Sequence, residues 1–199
     1  LSDEILAQIF EELHSSYQEG SRVHVPPPQY LLVSKRLHNI ARPIWLSVIS
    51  VQGTLAATNR FLAKLLTDPT IRNFVRGLGI KFFRSFTQSQ FAILTVLDNL
   101  RRLTVHLDDS GSRRLNAKKS LPPTLLEAIA NSPRLEELSF SQLVEVHSRI
   151  PQPVNKRPLR SFTTPVHSIN KALLEYLTAR RVQKLRLTVF LNHEPFTGD

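Results

Sequence analysis

Apolar residues recur at helical spacing at the start of the chain. Four of them fall at i, i+3, i+4 and i+7, which is one face of a helix: Leu6, Ile9, Phe10 and Leu13. Ile5 widens that face. Ser2 precedes the pattern as a capping residue, and Asp3 and Glu4 suit the positive end of a helix dipole. The pattern therefore predicts an amphipathic helix that begins near residue 2.

A second amphipathic segment follows a proline-rich stretch. Residues 15–28 end in three prolines, so we expect an extended spacer there. The next apolar residues again share one helical face: Val33, Leu37, Ile40 and Ile44. The basic residues among them fall mostly on the other side, where we expect them to be solvated: Lys35, Arg36, His38 and Arg42. We expect Pro43 to break or redirect this helix just before Trp45.

Five later stretches share the pattern apolar-x-x-apolar-x-apolar, with Thr164 as one weak position: residues 75–80, 100–105, 135–140, 159–164 and 182–187. Their central residues are Leu78, Leu103, Leu138, Phe162 and Leu185. The steps between these residues are 25, 35, 24 and 23 positions, and we interpret the long step as an inserted loop. Helical candidates lie between the predicted strands: residues 55–66, 88–97, 124–130, 142–149 and 170–179.

A strand and a helix repeated every 20–29 residues are typical of leucine-rich repeats, which stack into a parallel solenoid. The alternative is an ordinary α/β domain with a parallel sheet. Both interpretations make the chain α/β after residue 50. We therefore predict a small helical domain over residues 1–50 and a repeat-like region over residues 51–199, and we expect the chain to be a fragment because it contains no Met.

The balance of acidic and basic residues also changes near residue 50. Residues 1–50 hold four Lys/Arg against five Asp/Glu, whereas residues 51–199 hold 22 against 11. The basic region favours acidic proteins, phosphates or nucleic acid as partners, and solubility alone is the simpler explanation. A nucleic-acid-binding protein is therefore a rival interpretation. Aromatic residues make up only 8% of the chain and no nucleic-acid-binding motif occurs, so we disfavour nucleic acid as a partner.

Several function classes are disfavoured by what the sequence does not contain. It has no Cys, which excludes disulfides, thiolate metal ligands and a Cys nucleophile. The seven His residues show no metal-ligand spacing, and we find no phosphate-binding loop or hydrolase motif. The Gly77-x-Gly79 pair lies within a strand pattern and indicates close packing. We expect no enzyme activity, no metal and no cofactor. No apolar run is long enough to span a membrane, and we expect an intracellular protein, cytoplasmic or nuclear.

The first fifty residues resemble an F-box domain, in the F-box-like form abundant in fungi. The matching positions are Leu1, Glu4, Ile5, Leu6, Ile9, Phe10, Leu13, Val33, Ser34, Lys35, Ala41, Pro43 and Trp45. Ser2 stands where the family has proline, Leu37 stands where Trp is common, and the linker is longer than typical. The later repeats also look like the irregular leucine-rich repeats that often follow an F-box.

This resemblance implies docking on the adaptor Skp1 of a cullin–RING ubiquitin ligase, with the repeats selecting the substrate protein. About fifty residues cannot bury all their apolar side chains internally, so some remain for a partner. The candidates for Skp1 binding are Leu1, Ile5, Leu6, Ile9, Phe10, Leu13, Val33, Leu37, Ile40, Pro43 and Trp45. Phe10, Leu13, Leu37 and Trp45 could equally be core. An F-box-like scaffold without a ligase role is a further alternative.

Alternate residues of each repeat strand are expected to face outward and contact the substrate. The candidate substrate-binding residues are Lys81, Arg102, Thr104, His106, Lys184 and Arg186. Their cations suit an acidic or phosphorylated segment, with Arg102, Lys184 and Arg186 binding anionic oxygens. The simpler alternative is that these cations are only solvated. Basic residues of the inserted loop could extend the surface: Arg113, Arg114, Lys118 and Lys119.

Overall fold

A computed structural model of the chain describes residues 1–20, 34–51, 54–82, 91–107, 119–121, 123–140, 144–145 and 157–188. Its α-helices are α1 (Asp3–Gly20), α2 (Lys35–Ser47), α3 (Leu55–Thr67), α4 (Pro69–Phe74), α5 (Pro123–Asn131) and α6 (Lys171–Ala179), with 3₁₀ turns at Ala92–Thr95 and Val166–Ser168. Its strands are β1 (Val48–Val51), β2 (Gly77–Phe82), β3 (Arg102–Leu107), β4 (Lys119–Ser120), β5 (Glu137–Phe140), β6 (Val144–Glu145), β7 (Ser161–Pro165) and β8 (Lys184–Thr188).

Six of these strands form one parallel sheet. Their order across the sheet is β1-β2-β3-β5-β7-β8, so neighbours in the sheet follow one another along the chain. Strands β4 and β6 form a separate parallel pair. The predicted α/β class with a parallel sheet is confirmed.

The strand register joins the central residues of the five repeated stretches. Leu78 aligns with Leu103, Leu103 with Leu138, Leu138 with Phe162, and Phe162 with Leu185. The first four of these side chains are buried, while Leu185 on the edge strand is 46% exposed. All five predicted strands are therefore confirmed. The sixth strand, β1, was not predicted.

Three of the five helices predicted between the strands are confirmed. Helices α3, α5 and α6 confirm the predictions for residues 55–66, 124–130 and 170–179. The prediction for residues 142–149 is wrong at Val144–Glu145, because these residues pair with β4 as a strand. Of residues 88–97, Ala92–Thr95 form a 3₁₀ turn. Helix α4 was not predicted, although Asp68 caps it and Pro69 occupies its first turn.

Pro43 does not break the second helix, a break being one of the two outcomes that the sequence analysis expected. Helix α2 continues through Pro43 to Ser47 and leads directly into β1. A proline within a helix removes one hydrogen bond and costs about 3 kcal/mol or more. Side chains on both sides of Pro43 pack into a small cluster with α1, and this burial offsets the cost. Strand β1 thus crosses residue 50, where the predicted domains meet.

The main hydrophobic core lies between one face of the sheet and the helices. Buried side chains from β1, β2, β3, β5 and β7 and from α3, α4, α5 and α6 form one continuous cluster. Phe140 and Phe162 of neighbouring strands meet edge to face, with ring centroids 5.8 Å apart. A second, smaller cluster lies between α1 and α2 around Phe10 and Ala41.

Arg180 is a buried cation that ties three strand-leading segments together. Its side chain is 1% exposed, and Nη2 donates to the carbonyl oxygen of Leu135 at 2.8 Å. Its own carbonyl oxygen accepts from Leu159 N at 2.9 Å. Burial raises the pKa of the neighbouring Tyr176 hydroxyl, and the positive charge of Arg180 opposes that rise. Arg180 therefore holds the segments before β5, β7 and β8 in place.

Gly77 and Gly79 allow β1 to lie close to β2. A Cβ atom on Gly77 would lie 3.0 Å from Cγ1 of Val48, and one on Gly79 would lie 3.1 Å from Oγ of Ser50. The sequence indicated packing at these glycines, and the structure agrees. The two glycines leave the space that Val48 and Ser50 occupy above the outer face of β2.

We expect Gly77→Val to destabilise the protein by about 1–3 kcal/mol, the usual cost of overpacking. Adding Val48→Ala to that variant should restore part of the loss, because it removes the methyl groups that clash. Denaturant unfolding of both variants and of Val48→Ala alone measures this coupling. Equal stability losses with and without Val48→Ala would contradict the packing explanation.

Candidate functional site

Helix α1 carries an exposed apolar stripe. Four large side chains spaced four residues apart remain open to solvent at 80%, 44%, 41% and 38%: Leu1, Ile5, Ile9 and Leu13. We call them the α1 stripe. Residues i and i+4 lie on one helix face, so the stripe is continuous along the exposed side of α1 and its N-terminal residue. Exposed apolar surface of this kind is a candidate interaction site.

The opposite face of α1 packs against α2. Phe10 is buried and Leu6 is partly buried in the cluster that also contains Ala41. The α2 side chains that complete this cluster are Leu37, Ile40, Ile44 and Trp45. Helix α1 therefore has two apolar faces, one that holds the helix pair together and one whose large side chains are exposed.

Arg36 fixes the start of α1. Its Nη2 donates to Asp3 Oδ1 at 2.6 Å and to the carbonyl oxygen of Leu1 at 2.9 Å, and its Nε donates to Asp3 Oδ1 at 2.9 Å. The sequence placed Arg36 on the solvated side of α2, and the residue is exposed, but its head group binds α1. An exposed ion pair adds little stability. Its effect is to hold Leu1 in line with the rest of the α1 stripe.

Ser2 caps α1 as predicted. The backbone N–H of Ile5 donates to Ser2 Oγ at 3.4 Å, and that of Leu6 donates to the Ser2 carbonyl oxygen at 3.1 Å. A backbone hydrogen bond and then the Ser2 hydroxyl lower the pKa of the Glu4 carboxyl. Serine thus starts the helix at the position where the F-box pattern has proline.

The structure separates the predicted Skp1-binding residues into two groups. Those of the α1 stripe are exposed. Five others pack between the helices: Leu6, Phe10, Leu37, Ile40 and Trp45. Pro43 is half-buried, and Val33 lies outside the described residues. The residues of the α1 stripe can contact a partner without disrupting the packing between α1 and α2.

The outer face of the sheet presents the predicted polar residues in rows. One row runs through Gly77, Arg102, Glu137, Ser161 and Lys184, and the next runs through Gly79, Thr104, Ser139, Thr163 and Arg186. Lys81 aligns with His106. Small hydroxyl side chains occupy the centre, as the alternation of each strand predicts. The inserted loop lies outside the described residues except for its end at Lys119 and Ser120.

The three cations proposed to bind anionic oxygens do not come together. Arg102 Nε donates to Glu137 Oε2 at 2.6 Å, so a carboxylate of the neighbouring strand already engages this guanidinium. Lys184 and Arg186 lie on β8, three strands away, which is about 14 Å at the usual strand spacing. These three cations therefore form two separate basic spots, one of them partly neutralised.

His106 contributes little positive charge at neutral pH. Burial lowers the pKa of this half-buried imidazole, and the positive charge of the adjacent Lys81 lowers it further. A neutral imidazole can accept or donate one hydrogen bond but attracts an anion weakly. Lys81 is thus the main cation where β2 and β3 end.

Comparisons with protein-family models, with curated proteins and with solved structures found no match to this chain. Among the described helices, none combines the length and the apolar character needed to cross a membrane. Within the same residues, no cluster of three or more His, Asp or Glu side chains could hold a metal ion.

We expect Lys81→Gln to raise the pKa of His106 only part of the way to its ordinary 6.5, since burial is the larger cause of the depression. NMR titration of the imidazole measures this change, with Arg186→Gln as the control. An unchanged His106 pKa in Lys81→Gln would contradict the assigned electrostatic cause.

The same depression gives a pH dependence of stability. Since the folded-state pKa lies below 6.5, His106 must be protonated at a cost in the native state as the pH falls. Its contribution to stability is therefore intact above pH 6.5 and is lost below it. Urea unfolding should show a smaller acid-induced loss in His106→Gln than in the parent chain.

Proposed function

We propose that the protein is the substrate-recognition subunit of an SCF-type (Skp1–cullin–F-box) ubiquitin ligase. In this proposal the helix pair α1–α2 docks on Skp1, and the parallel α/β region, a leucine-rich-repeat-like solenoid, binds the substrate protein. The observation that carries the proposal is the α1 stripe, an exposed apolar surface on the segment that resembles an F-box.

The chemistry of the stripe suits a stable protein–protein contact. Complete burial of a Leu or Ile side chain is worth about 1.5–3 kcal/mol, before the cost of association is subtracted. Leu1 is 80% exposed and the other three side chains of the stripe are 38–44% exposed, so the apolar area that remains to be buried can offset part of that cost. Because the cluster around Phe10 and the Arg36 contacts hold α1 on α2, little ordering remains to oppose binding.

The attachment of the helices to the sheet supports a templating role. Helix α2 leads into β1 without an intervening loop, and Leu46 packs against the main core. A partner bound to α1 would thus be held at a fixed position relative to the sheet. In this role the protein performs no bond chemistry but raises the local concentration of a substrate lysine near the ubiquitin-charged enzyme.

The sequential strand order supports the solenoid interpretation of the sheet region. Each new strand is added at the same edge, from β1 to β8, as stacked repeats require. A doubly wound sheet would instead reverse direction at a switch point. The aligned central residues, one for each repeated stretch, provide the common core of such a stack.

Co-expression with Skp1 followed by size-exclusion chromatography tests the proposal. We expect the parent chain to co-elute with Skp1. We expect Ile5→Asp/Ile9→Asp to bind at least about 100-fold more weakly, since two buried apolar contacts become desolvated carboxylates. Both positions are exposed, so the variant retains the internal cluster of the helix pair.

The matched control is Asn39→Asp/Asn73→Asp, which adds the same charge at exposed positions on α2 and α4. It should co-elute as the parent does. Circular dichroism and thermal unfolding establish that each variant is folded. Failure of the folded parent to bind Skp1 would overturn the adaptor role, and equal binding by the stripe variant would overturn the assigned surface.

A further inference from the structure

Exposed arginines collect in the segments that lead into the strands of the main sheet. Six of them, which we call the edge arginines, share this placement: Arg76, Arg101, Arg134, Arg157, Arg160 and Arg181. Because the strands are parallel, their N-terminal ends lie along one edge of the sheet. Two carboxylates, Asp98 and Glu136, occupy the same segments. The edge therefore carries an excess of positive charge.

Backbone hydrogen bonds hold these segments side by side. Arg101 N donates to the Arg76 carbonyl oxygen at 2.7 Å, and Glu136 N donates to that of Arg101 at 2.8 Å. Gln183 N donates to the Leu159 carbonyl oxygen at 3.0 Å. Neighbouring segments are thus about 4.8 Å apart, and the row from β2 to β8 is about 19 Å long. This spacing is set by the sheet and does not depend on side-chain flexibility.

Most of the positive charge along this row is not neutralised. Glu136 contacts Arg160 only at 3.6 Å, and Arg134 Nη1 donates to the neutral amide oxygen of Asn99 at 2.7 Å. In the part of the chain that the structure describes, no ion pair engages the remaining edge arginines: Arg76, Arg101, Arg157 and Arg181. Arg76 and Arg101 occupy aligned positions before adjacent strands, so an anion placed between them would be attracted by both charges.

Arg181 occupies a position where glycine is the preferred residue. Its φ of 49° is left-handed, and it follows the C-terminal end of α6. Arg181 N donates to the Thr178 carbonyl oxygen at 3.1 Å and Val182 N to that of Leu177 at 3.3 Å, which is the Schellman arrangement. An arginine is unfavourable in this conformation compared with glycine. This unfavourable conformation lies at the end of the basic row, as strained residues often do at binding sites.

The kind of partner follows from the mixture of groups along the row. Guanidinium groups bind carboxylates and phosphates through paired hydrogen bonds. Asp98 and Glu136 interrupt the positive charge, so the row suits separated carboxylates better than the continuous negative charge of a nucleic acid, and the described segments expose no aromatic side chain on which a base could stack. An extended peptide places alternate side chains about 7 Å apart, so seven residues span about 20 Å.

We propose that the edge arginines bind an extended acidic segment of a partner protein, with carboxylates at alternate residues that lie across the N-terminal edge of the sheet. This surface differs from the outer sheet face that the sequence indicated. It also lies on elements other than α1, so the proposal does not rest on Skp1 docking. Within a ligase, the acidic segment would belong to the substrate.

Fluorescence anisotropy of a labelled peptide, Glu-Ser-Glu-Ser-Glu-Ser-Glu, tests the proposal on the full chain. We expect Arg76→Gln/Arg101→Gln/Arg181→Gln to weaken binding at least about 10-fold, because three charge-assisted contacts are removed. The matched control is Arg102→Gln/Lys184→Gln/Arg186→Gln, which removes equal charge from the outer face and should change the affinity less than about two-fold. The same peptide with Gln in place of Glu should not bind.

Three results would overturn the proposal. One is a loss of peptide binding in the outer-face variant but not in the edge variant. Another is no binding of the acidic peptide by the folded parent at low salt, where electrostatic contacts are strongest. The third is tighter binding of a single-stranded oligonucleotide than of the peptide. Co-elution of the edge variant with Skp1, measured in parallel, keeps this proposal distinguishable from the adaptor role.

Arg181→Gly separates binding from stability at this edge. We expect it to raise the unfolding temperature by about 1–4 °C, because glycine relieves the left-handed conformation. We also expect weaker binding of the acidic peptide, since one guanidinium is lost. A lower unfolding temperature, or peptide affinity equal to that of the parent, would count against a binding role for this side chain.

Discussion

The alignment of one buried side chain from each repeated strand determines where every other group of the sheet region lies. Leu78, Leu103, Leu138 and Phe162 lie side by side beneath the helices, and Leu185 continues the line at the open edge. A shift of one residue in any strand would turn its apolar side chains to solvent, so the register is strongly specified. With the register fixed, alternate residues face outward, and the residues before each strand form a row along one edge.

The helix pair depends on the sheet in a different way. Its own cluster around Phe10 is small, and the pair joins the sheet because α2 passes directly into β1. The space that Gly77 and Gly79 leave open lets β1 lie against β2. Interactions at the sheet thus fix the direction in which the α1 stripe faces. Two surfaces of different chemistry result: the apolar α1 stripe, which we propose binds an adaptor, and the basic edge, which we propose binds an acidic segment.

The sequence predicted the parts of this molecule that follow from periodicity. The five central residues and five of the helices (α1, α2, α3, α5 and α6) were identified, because burial on one face imposes spacing that a single sequence displays. The extended spacer expected over residues 15–28 is wrong at its start, since α1 continues to Gly20. The strand at Val144–Glu145, the passage of α2 through Pro43 and the Arg36 contacts were missed, since each depends on a partner distant in sequence. The charge of the basic region was noted, but its position along one edge follows only from the strand register.

Amide hydrogen exchange, measured with and without purified Skp1, tests most directly whether the protein has these two separate surfaces. The account predicts slower exchange throughout the first turns of α1 when Skp1 is bound, because contacts along the α1 stripe suppress local opening of the helix. It predicts no change in the exchange rates of three segments that lead into strands and carry edge arginines: residues 98–101, 132–136 and 180–183. Protection of those segments with unchanged exchange in α1 would contradict it.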